Sequence, residues 1–402
     1  MSEAATGKLA NDRREKLIKL LTEDLNVWCS CNGRILTKRG TLEPLQWNRA
    51  QQYIHERLEA QLKATGKVRA LILKGRQQGC STYVGARFYW KTSIKPGQQA
   101  FIVAHEDKAT NNLFSMVKRY HKYNPMAPGV KASNAQELIF GELESGYKLA
   151  TAGSKDVGRS NTARLFHGSE FGFWANAQTH LAGIGNTIPS GEEGAGTEII
   201  LESTANGIGN AFHLMWQDAE EGRGEYQAIF VPWFWQDEYQ SPVKPELEAE
   251  LSDADRVYMA TYALSLRQMQ WRANKIAEYG KGYEWLFDQE YPATASLAFR
   301  VPTGKPLISP TAVMAAVNSK FSRRDGPLII GVDPASDGDD PSLVRDRTAI
   351  VFRQGRVVTR CETHRDLSTM QVAGIVAQMA RTTSRTPSSS TRAASARGSW
   401  IA

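Results

Sequence analysis

Between residues 45 and 65 apolar side chains return at the three-to-four-residue interval of a helix, with Pro44 just ahead of them. The texture then changes. Residues 69–74, Arg-Ala-Leu-Ile-Leu-Lys, form a compact apolar run of strand length, followed by a glycine-bearing loop at 75–79 and a second helical pattern at 81–93. The alternation continues, with strands predicted at 99–104, 138–140, 147–150, 163–166 and 198–202, and helices at 110–123 and 209–220. Strands alternating with helices predict an α/β fold built on a mostly parallel sheet. Upstream, the pattern predicts a helix over 13–25 and a turn at Asn32-Gly33. Downstream, 243–300 reads as helical and rich in Tyr, Trp and charge. A third region opens with the apolar strand 327–333, continues as a hairpin (348–352 and 357–361, turning at Gln354-Gly355) and reaches a helix at 368–380. No internal repeat is present.

The 402 residues suggest two or three domains, and 41% hydrophobic with 23% charged residues is the composition of a soluble globular protein. No apolar run approaches the roughly 20 residues of a membrane span, so no membrane association is expected. The first thirty residues mix Arg13, Arg14, Lys16 and Lys19 with aliphatics and lack the apolar core of a signal peptide, which makes the cytoplasm the expected location. Four cysteines do not describe a disulfide scaffold, and Cys29 and Cys31 lack zinc-site spacing. The net charge of +7 invites a nucleic-acid reading, but Arg381, Arg385, Arg392 and Arg397 fall in a Ser/Thr/Ala/Arg tail without acids. Net charge alone therefore does not argue for DNA binding.

Strand, glycine loop, hydroxyl residue and helix is the arrangement in which backbone amides cradle phosphates and the hydroxyl holds Mg²⁺. The segment Lys74-Gly75-Arg76-Gln-Gln-Gly79-Cys80-Ser81-Thr82 keeps the second glycine and the hydroxyl of G-x-x-x-x-G-K-[ST]. Cys80 stands where the pattern has lysine, and Lys74 where it has the first glycine. A lysine at the loop's opening can fold its stem back so that its charge reaches the β/γ-phosphates.

At this point the chain resembles the large terminase subunit of tailed bacteriophages, some members of which carry the phosphate-binding lysine at the start of the loop. The resemblance runs from about Leu45 to Asp366. Leu45-Gln-Trp-Asn-Arg-Ala-Gln51-Gln52 is similar to the family's adenine-contacting segment, and the stretch from Ala163 through Ser169-Glu170 to Trp174 to its Walker B element. Ile199-Ile-Leu-Glu202-Ser203-Thr204-Ala205-Asn206-Gly207 resembles the segment that couples hydrolysis to movement. Val231-Pro232-Trp233, and Gln289-Glu290-Tyr291-Pro292 before Ala298-Phe299, complete the order. The domains implied are a helical segment (1–44), a P-loop ATPase domain (45–242), a helical subdomain or linker (243–325), a partial RNase H-like nuclease domain (326–380) and a disordered tail (381–402).

The resemblance implies ATP-driven translocation of double-stranded DNA, in a homo-oligomeric ring that meets a small terminase subunit and a portal protein, in the host cytoplasm and transiently at the capsid portal. Gln51 would contact the base; Lys74, Gly75, Gly79 and Thr82 would hold phosphate, Ser81 would hold Mg²⁺, and Glu170 would polarise the attacking water. Arg76 or Arg159 would supply the transition-state arginine, and Asn206 would link the γ-phosphate to movement. The usual Walker B pair is Asp-Glu, and here it is Ser169-Glu170, which weakens the expected metal site. Asp333 resembles the first acid of a two-metal nuclease centre, with Mg²⁺ or Mn²⁺, and Asp346 is a candidate companion. The later acids have no counterpart, so an incomplete nuclease is expected. Two other readings stay open at this point: a helicase-like DNA-dependent ATPase, and an assembly protein with a decayed ATP site.

Overall fold

The computed structural model describes residues 3–152, 162–280, 283–299, 325–335, 347–364 and 367–383. Two units are distinguished, Met1–Thr311 and Ala312–Ala402. In the first, α1 (Glu3–Glu23) leads into α2 (Leu25–Asn32), whose start is fixed by Asp24 accepting hydrogen bonds from the amides of Asn26 and Val27. Gly33 then turns the chain into a small antiparallel pair, β1 (Arg34–Leu36) and β2 (Leu42–Pro44). Asn48 opens α3 (Arg49–Thr65) through a reciprocal capping box with Gln51.

The central strands follow: β3 (Val68–Lys74), β4 (Gln99–Ala104), β5 (Val130–Ser133), β6 (Glu137–Phe140), β7 (Ser145–Thr151), β8 (Leu165–Ser169), β9 (Glu198–Ser203) and β10 (Gln227–Val231). They form one eight-stranded sheet in the order β10-β3-β9-β8-β4-β7-β6-β5. The six strands from β10 to β7 are parallel, and β6 and β5 add an antiparallel edge. Connecting helices are α4 (Cys80–Ile94), α5 (Asp107–Tyr123), α6 (Ala177–Gly185) and α7 (Ala211–Glu220).

All seven residues of β3 are buried, because the sheet is covered on both faces. Alternation along the strand sends Ala70 and Ile72 into a core shared with Tyr83, Phe88 and Val117 of α4 and α5, and with Trp28 of α2. Leu71 and Leu73 face a second core with Phe166, Phe171, Phe212 and Trp216. Short helices α8 (Leu247–Glu250), α9 (Asp253–Thr261), α10 (Leu266–Tyr279), α11 (Trp285–Glu290) and α12 (Ala295–Ala298) follow, and most of them gather around Trp233. Trp271 stacks on Trp233 and Tyr239, with ring centroids 5.2 and 4.3 Å apart.

In the second unit β11 (Leu328–Asp333), β12 (Thr348–Gln354) and β13 (Val357–His364) form an antiparallel sheet in that order. Helix α13 (Thr369–Thr383) follows.

Candidate phosphate-binding site

The parallel strand pairings bring the C-terminal ends of β3, β8 and β9 side by side, the edge at which open α/β sheets bind ligands. Register sets the neighbours: Ser169 pairs with Glu202, and Glu202 pairs in turn with Ile72, two residues before Lys74. Lys74 ends β3, and its amine lies 2.8 Å from Glu170 Oε1 and 3.1 Å from Glu202 Oε2. Burial alone would push the lysine's pKa down, but Glu170 and Glu202 outweigh it and raise it above the ordinary value.

Loop 75–79 carries two residues with left-handed backbone, Gln77 (φ 51°) and Gly79 (φ 78°). The left-handed backbone at Gly79 favours glycine, and a β-carbon there would stand 2.7 Å from Gln51 Nε2, so that amide would have to move aside. Beyond it, α4 begins without a side-chain cap.

Segments far apart in sequence hold this loop. Gln51 Nε2 donates to the Gly79 carbonyl (2.9 Å), and Asn48 Nδ2 to that of Gln78 (3.1 Å). Gln78 Nε2 donates to the Pro232 carbonyl (2.8 Å), while its Oε1 accepts from the Gly75 amide (2.7 Å). The Arg76 amide donates to the Glu290 carbonyl (3.0 Å), the Arg76 guanidinium pairs with the Glu290 carboxylate, and Tyr239 donates its hydroxyl to the Arg76 carbonyl. The hydrogen bond to Glu290 raises the Arg76 pKa further.

Glu170 also has a left-handed backbone (φ 51°), an unusual setting for a non-glycine residue and one that aims its side chain across the strand ends. Its Oε2 accepts from the Thr204 amide at 3.1 Å. Ser81 Oγ donates to Glu202 Oε1 at 2.7 Å, and Ser169 Oγ donates to the same oxygen at 2.7 Å.

Gln51, Lys74, Gly75, Arg76, Gly79, Ser81 and Glu170 thus meet at one place. Thr82 does not join them: its hydroxyl is directed at Met116 Sδ, 3.7 Å away on α5. Asn206 lies beside the site, where its amide donates to the Gly172 carbonyl at 3.0 Å. Arg76 is engaged by Glu290 within its own chain. Asp333 ends β11 in the second unit, opposite Ala349 of β12. Arg159 and Asp346 lie outside the described residues. Among the described residues no group of three or more His, Cys, Asp or Glu side chains could hold a metal ion, and no helix is long and apolar enough to cross a membrane.

The residue that the sequence reading gave no chemical role is Glu202, fully buried at the centre of the cluster. Burial alone would raise its pKa, but Lys74, His167 and Ser81 hold it well below the usual carboxylate range. An acid closing the apolar run Ile199-Ile200-Leu201 was the available signal, since a carboxylate is almost never fully buried without a partner.

No protein-family model matches the chain, and no curated protein matches it. Among solved structures it is similar to the large terminase of bacteriophage HK97, with 14% identity and a TM-score of 0.50 over 83% of this chain and 64% of that one. The large terminase of a thermophilic bacteriophage, solved in complex with ADP, aligns at 9% identity, TM-score 0.42, over 84% and 81% of the two chains. The Thermus phage P74-26 large terminase ATPase domain aligns at 15% identity, TM-score 0.41, over 62% and 93%. The chain spans 64% of the length of the HK97 protein. The chain, with its mostly parallel eight-stranded sheet, therefore shares the fold of a phage large terminase.

Proposed function

We propose that this chain is the ATP-hydrolysing motor subunit that drives double-stranded DNA into a viral capsid, acting in a homo-oligomeric ring with a small terminase subunit and a portal protein in the host cytoplasm. One observation carries the reading. Segments around Gln51, Glu170, Glu202, Pro232 and Glu290, scattered along most of the first unit, converge on loop 75–79 and its lysine. A simple strand-to-helix connection has no need of such a shell.

In this reading Lys74 and the loop amides bind the β- and γ-phosphates of ATP. A triphosphate in the loop competes with Glu170 for the Lys74 amine, and Glu170, once released, orients the attacking water. The Ser81 hydroxyl in the first turn of α4, beside carboxylate oxygens, is a hard-oxygen setting suited to Mg²⁺. That ion, when bound, neutralises charge on the phosphates. Thr204, whose amide holds Glu170, ties the water-orienting group to the end of β9 and so to the segment that leads to Asn206. In the nuclease-like part, residues 326–380, Asp333 is the proposed first metal-binding acid and Asp346 its candidate companion.

The test is DNA-stimulated ATP hydrolysis by the purified chain beside Lys74→Ala and Glu170→Gln. Glu170→Gln should lose about 10²–10⁴-fold in turnover, the range of a positioned proton acceptor. Equal background rates in all three chains would defeat the motor reading and favour a decayed assembly protein.

A further inference from the structure

The phosphate-loop arrangement calls for a carboxylate at the end of the strand that carries Glu170, facing the helix hydroxyl, and this chain has Ser169 there. The structure fills that place from another strand. Glu202 sits on β9 directly opposite Ser169 of β8, so the parallel register sets its side chain beside the one that is missing an acid. Its Oε1 takes the hydroxyls of both Ser81 and Ser169 at 2.7 Å, and His167 Nε2 lies 3.5 Å from the same atom. Its Oε2 lies 3.1 Å from the Lys74 amine and accepts no directed hydrogen bond. The side chain is 0% exposed, an expensive position for an acid on a strand that could have carried an aliphatic.

Structural demands on a buried acid do not explain the choice of neighbours. Glu198, at the other end of the same strand, is equally buried but is closed off by Arg87 and Lys91, with no hydroxyl of the loop near it. Glu202 instead faces the first turn of α4 and the loop lysine, the groups that surround a nucleotide's phosphates in the reading above.

We propose that Glu202 is the metal-orienting carboxylate of this site. It takes over from β9 the part that an acid at position 169 would play, while Ser169 serves as a hydroxyl that fixes the orientation of Glu202. The divalent ion is held by Ser81, by nucleotide phosphate and, directly or through a bound water, by Glu202. A set of so few protein oxygens suits Mg²⁺, which keeps several waters and shares its shell with phosphate. The proposal rests on the ATP reading and goes beyond it, because it moves the acidic ligand to a different strand.

The experiment measures binding of a non-hydrolysable ATP analogue in EDTA and in excess Mg²⁺, with Mn²⁺ affinity followed by electron paramagnetic resonance. The chains compared are wild type, Glu202→Gln, and Ser169→Asp/Glu202→Gln. Glu202→Gln should weaken Mn²⁺ binding in the presence of the analogue by about 10–100-fold, the loss typical of removing a metal-orienting partner. Its analogue affinity in EDTA should change much less. The double variant, which returns an acid to position 169, should recover most of the loss.

Equal weakening with and without metal would reduce Glu202 to a positioning partner of Lys74 and overturn the proposal. Metal dependence unchanged from wild type would do the same while leaving the ATP reading intact. Absence of analogue binding by folded wild type would remove both. Should Glu202→Gln fail to fold, wild-type crystals soaked with Mn²⁺ and the analogue decide: an anomalous peak on Ser81 with Glu202 neither in contact nor one water away refutes the assignment.

Discussion

Replacing Lys74 with alanine is the obvious way to disable the site, and the structure predicts that it does more than that. The amine stands 2.8 Å from Glu170 and 3.1 Å from Glu202, and the Lys74 side chain is 6% exposed. At such separations one pair is worth roughly 5 kcal/mol gross with an effective dielectric of about 20. The net cost of deletion is set by the charge left behind: removing one partner of a buried pair typically costs about 3–5 kcal/mol. Glu170 reaches solvent and recovers hydration, whereas Glu202 cannot. Lys74→Ala should therefore lower Tm by about 6–10 °C, at roughly 2 °C per kcal/mol for a unit of this size.

Glu202→Gln should cost less, about 1–2 kcal/mol, because the lysine keeps Glu170 and the amide can still accept from Ser81 and Ser169. The combination Lys74→Ala/Glu202→Gln should be more stable than Lys74→Ala alone, since the stranded charge is gone. Denaturant melts of the four chains in EDTA close the cycle. A Lys74→Ala chain within about 0.5 kcal/mol of wild type, or strictly additive losses, would refute the reasoning. Glu170→Gln leaves the buried charge pair intact and is the cleaner test of catalysis.

Other parts of the fold make equally definite predictions. Glu198 accepts bidentately from Arg87 (2.7 and 2.8 Å) and also pairs with Lys91. Burial pushes its pKa up, but the two cations hold it at about 2 against an ordinary 4.5. With the folded value below the unfolded one, its stabilisation is complete above about pH 4.5 and is lost as pH falls toward about 2, roughly 3 kcal/mol in all. Glu198→Gln should accordingly show a shallower acid loss of stability; parallel curves would contradict this. Gly79→Ala, at φ 78°, should cost about 1–2 kcal/mol, displace Gln51 from the Gly79 carbonyl and weaken nucleotide binding, and an unchanged Tm would count against it. Arg76→Ala and Glu290→Ala should accelerate amide exchange in loop 75–79 alike, because the side chains form one latch. A turnover loss confined to Arg76→Ala would make that residue the transition-state arginine instead.

The readable part of this fold was the part where burial is symmetric. Residues 69–74, 99–104 and 198–202 announce themselves as apolar runs because each lies in a parallel sheet covered on both faces. The β1–β2 pair and β5 carry no such run, being short and largely exposed. Strand β10, Gln-Ala-Ile-Phe-Val, is an edge strand that ends directly in the Pro232 turn, and its five residues alone do not separate strand from loop. Within the candidate site, Lys74, Gly79 and Ser81 stand out in the sequence because they lie close together along one strand–loop–helix segment. Glu202 does not, because its contacts with Lys74 and Ser81 depend on β9 being inserted between β3 and β8, a neighbourhood that sequence distance does not encode. Thr82 shows the converse: it is next to Ser81 in sequence, yet one helical step turns its hydroxyl to Met116.

The two departures from the usual phosphate-loop pattern, the lysine at 74 and the acid at 202, are best understood as one. Because β9 lies between β3 and β8, an acid on β9 is one strand closer to Lys74 than an acid at position 169 would be. A lysine that leaves the end of β3 thus has its counter-ion on the adjacent strand, and the carboxylate still reaches Ser81. Cys80, where the pattern has lysine, is buried at the start of α4: burial pushes its thiol up to about 12, with the Lys74 charge opposing and Glu202 and Glu170 adding to the rise. Whether a lysine from position 80 can stand in for Lys74 is tested by exchanging the two positions. Lys74→Gly alone should abolish nucleotide binding and strand Glu202, whereas Lys74→Gly/Cys80→Lys should restore binding to within about tenfold of wild type, a difference of about 1.4 kcal/mol. It should also recover much of the lost stability, since an amine again faces the buried acid. If the double variant binds nucleotide no better than Lys74→Gly, position 80 does not open onto the phosphates, and the lysine is bound to its place on β3 by more than charge.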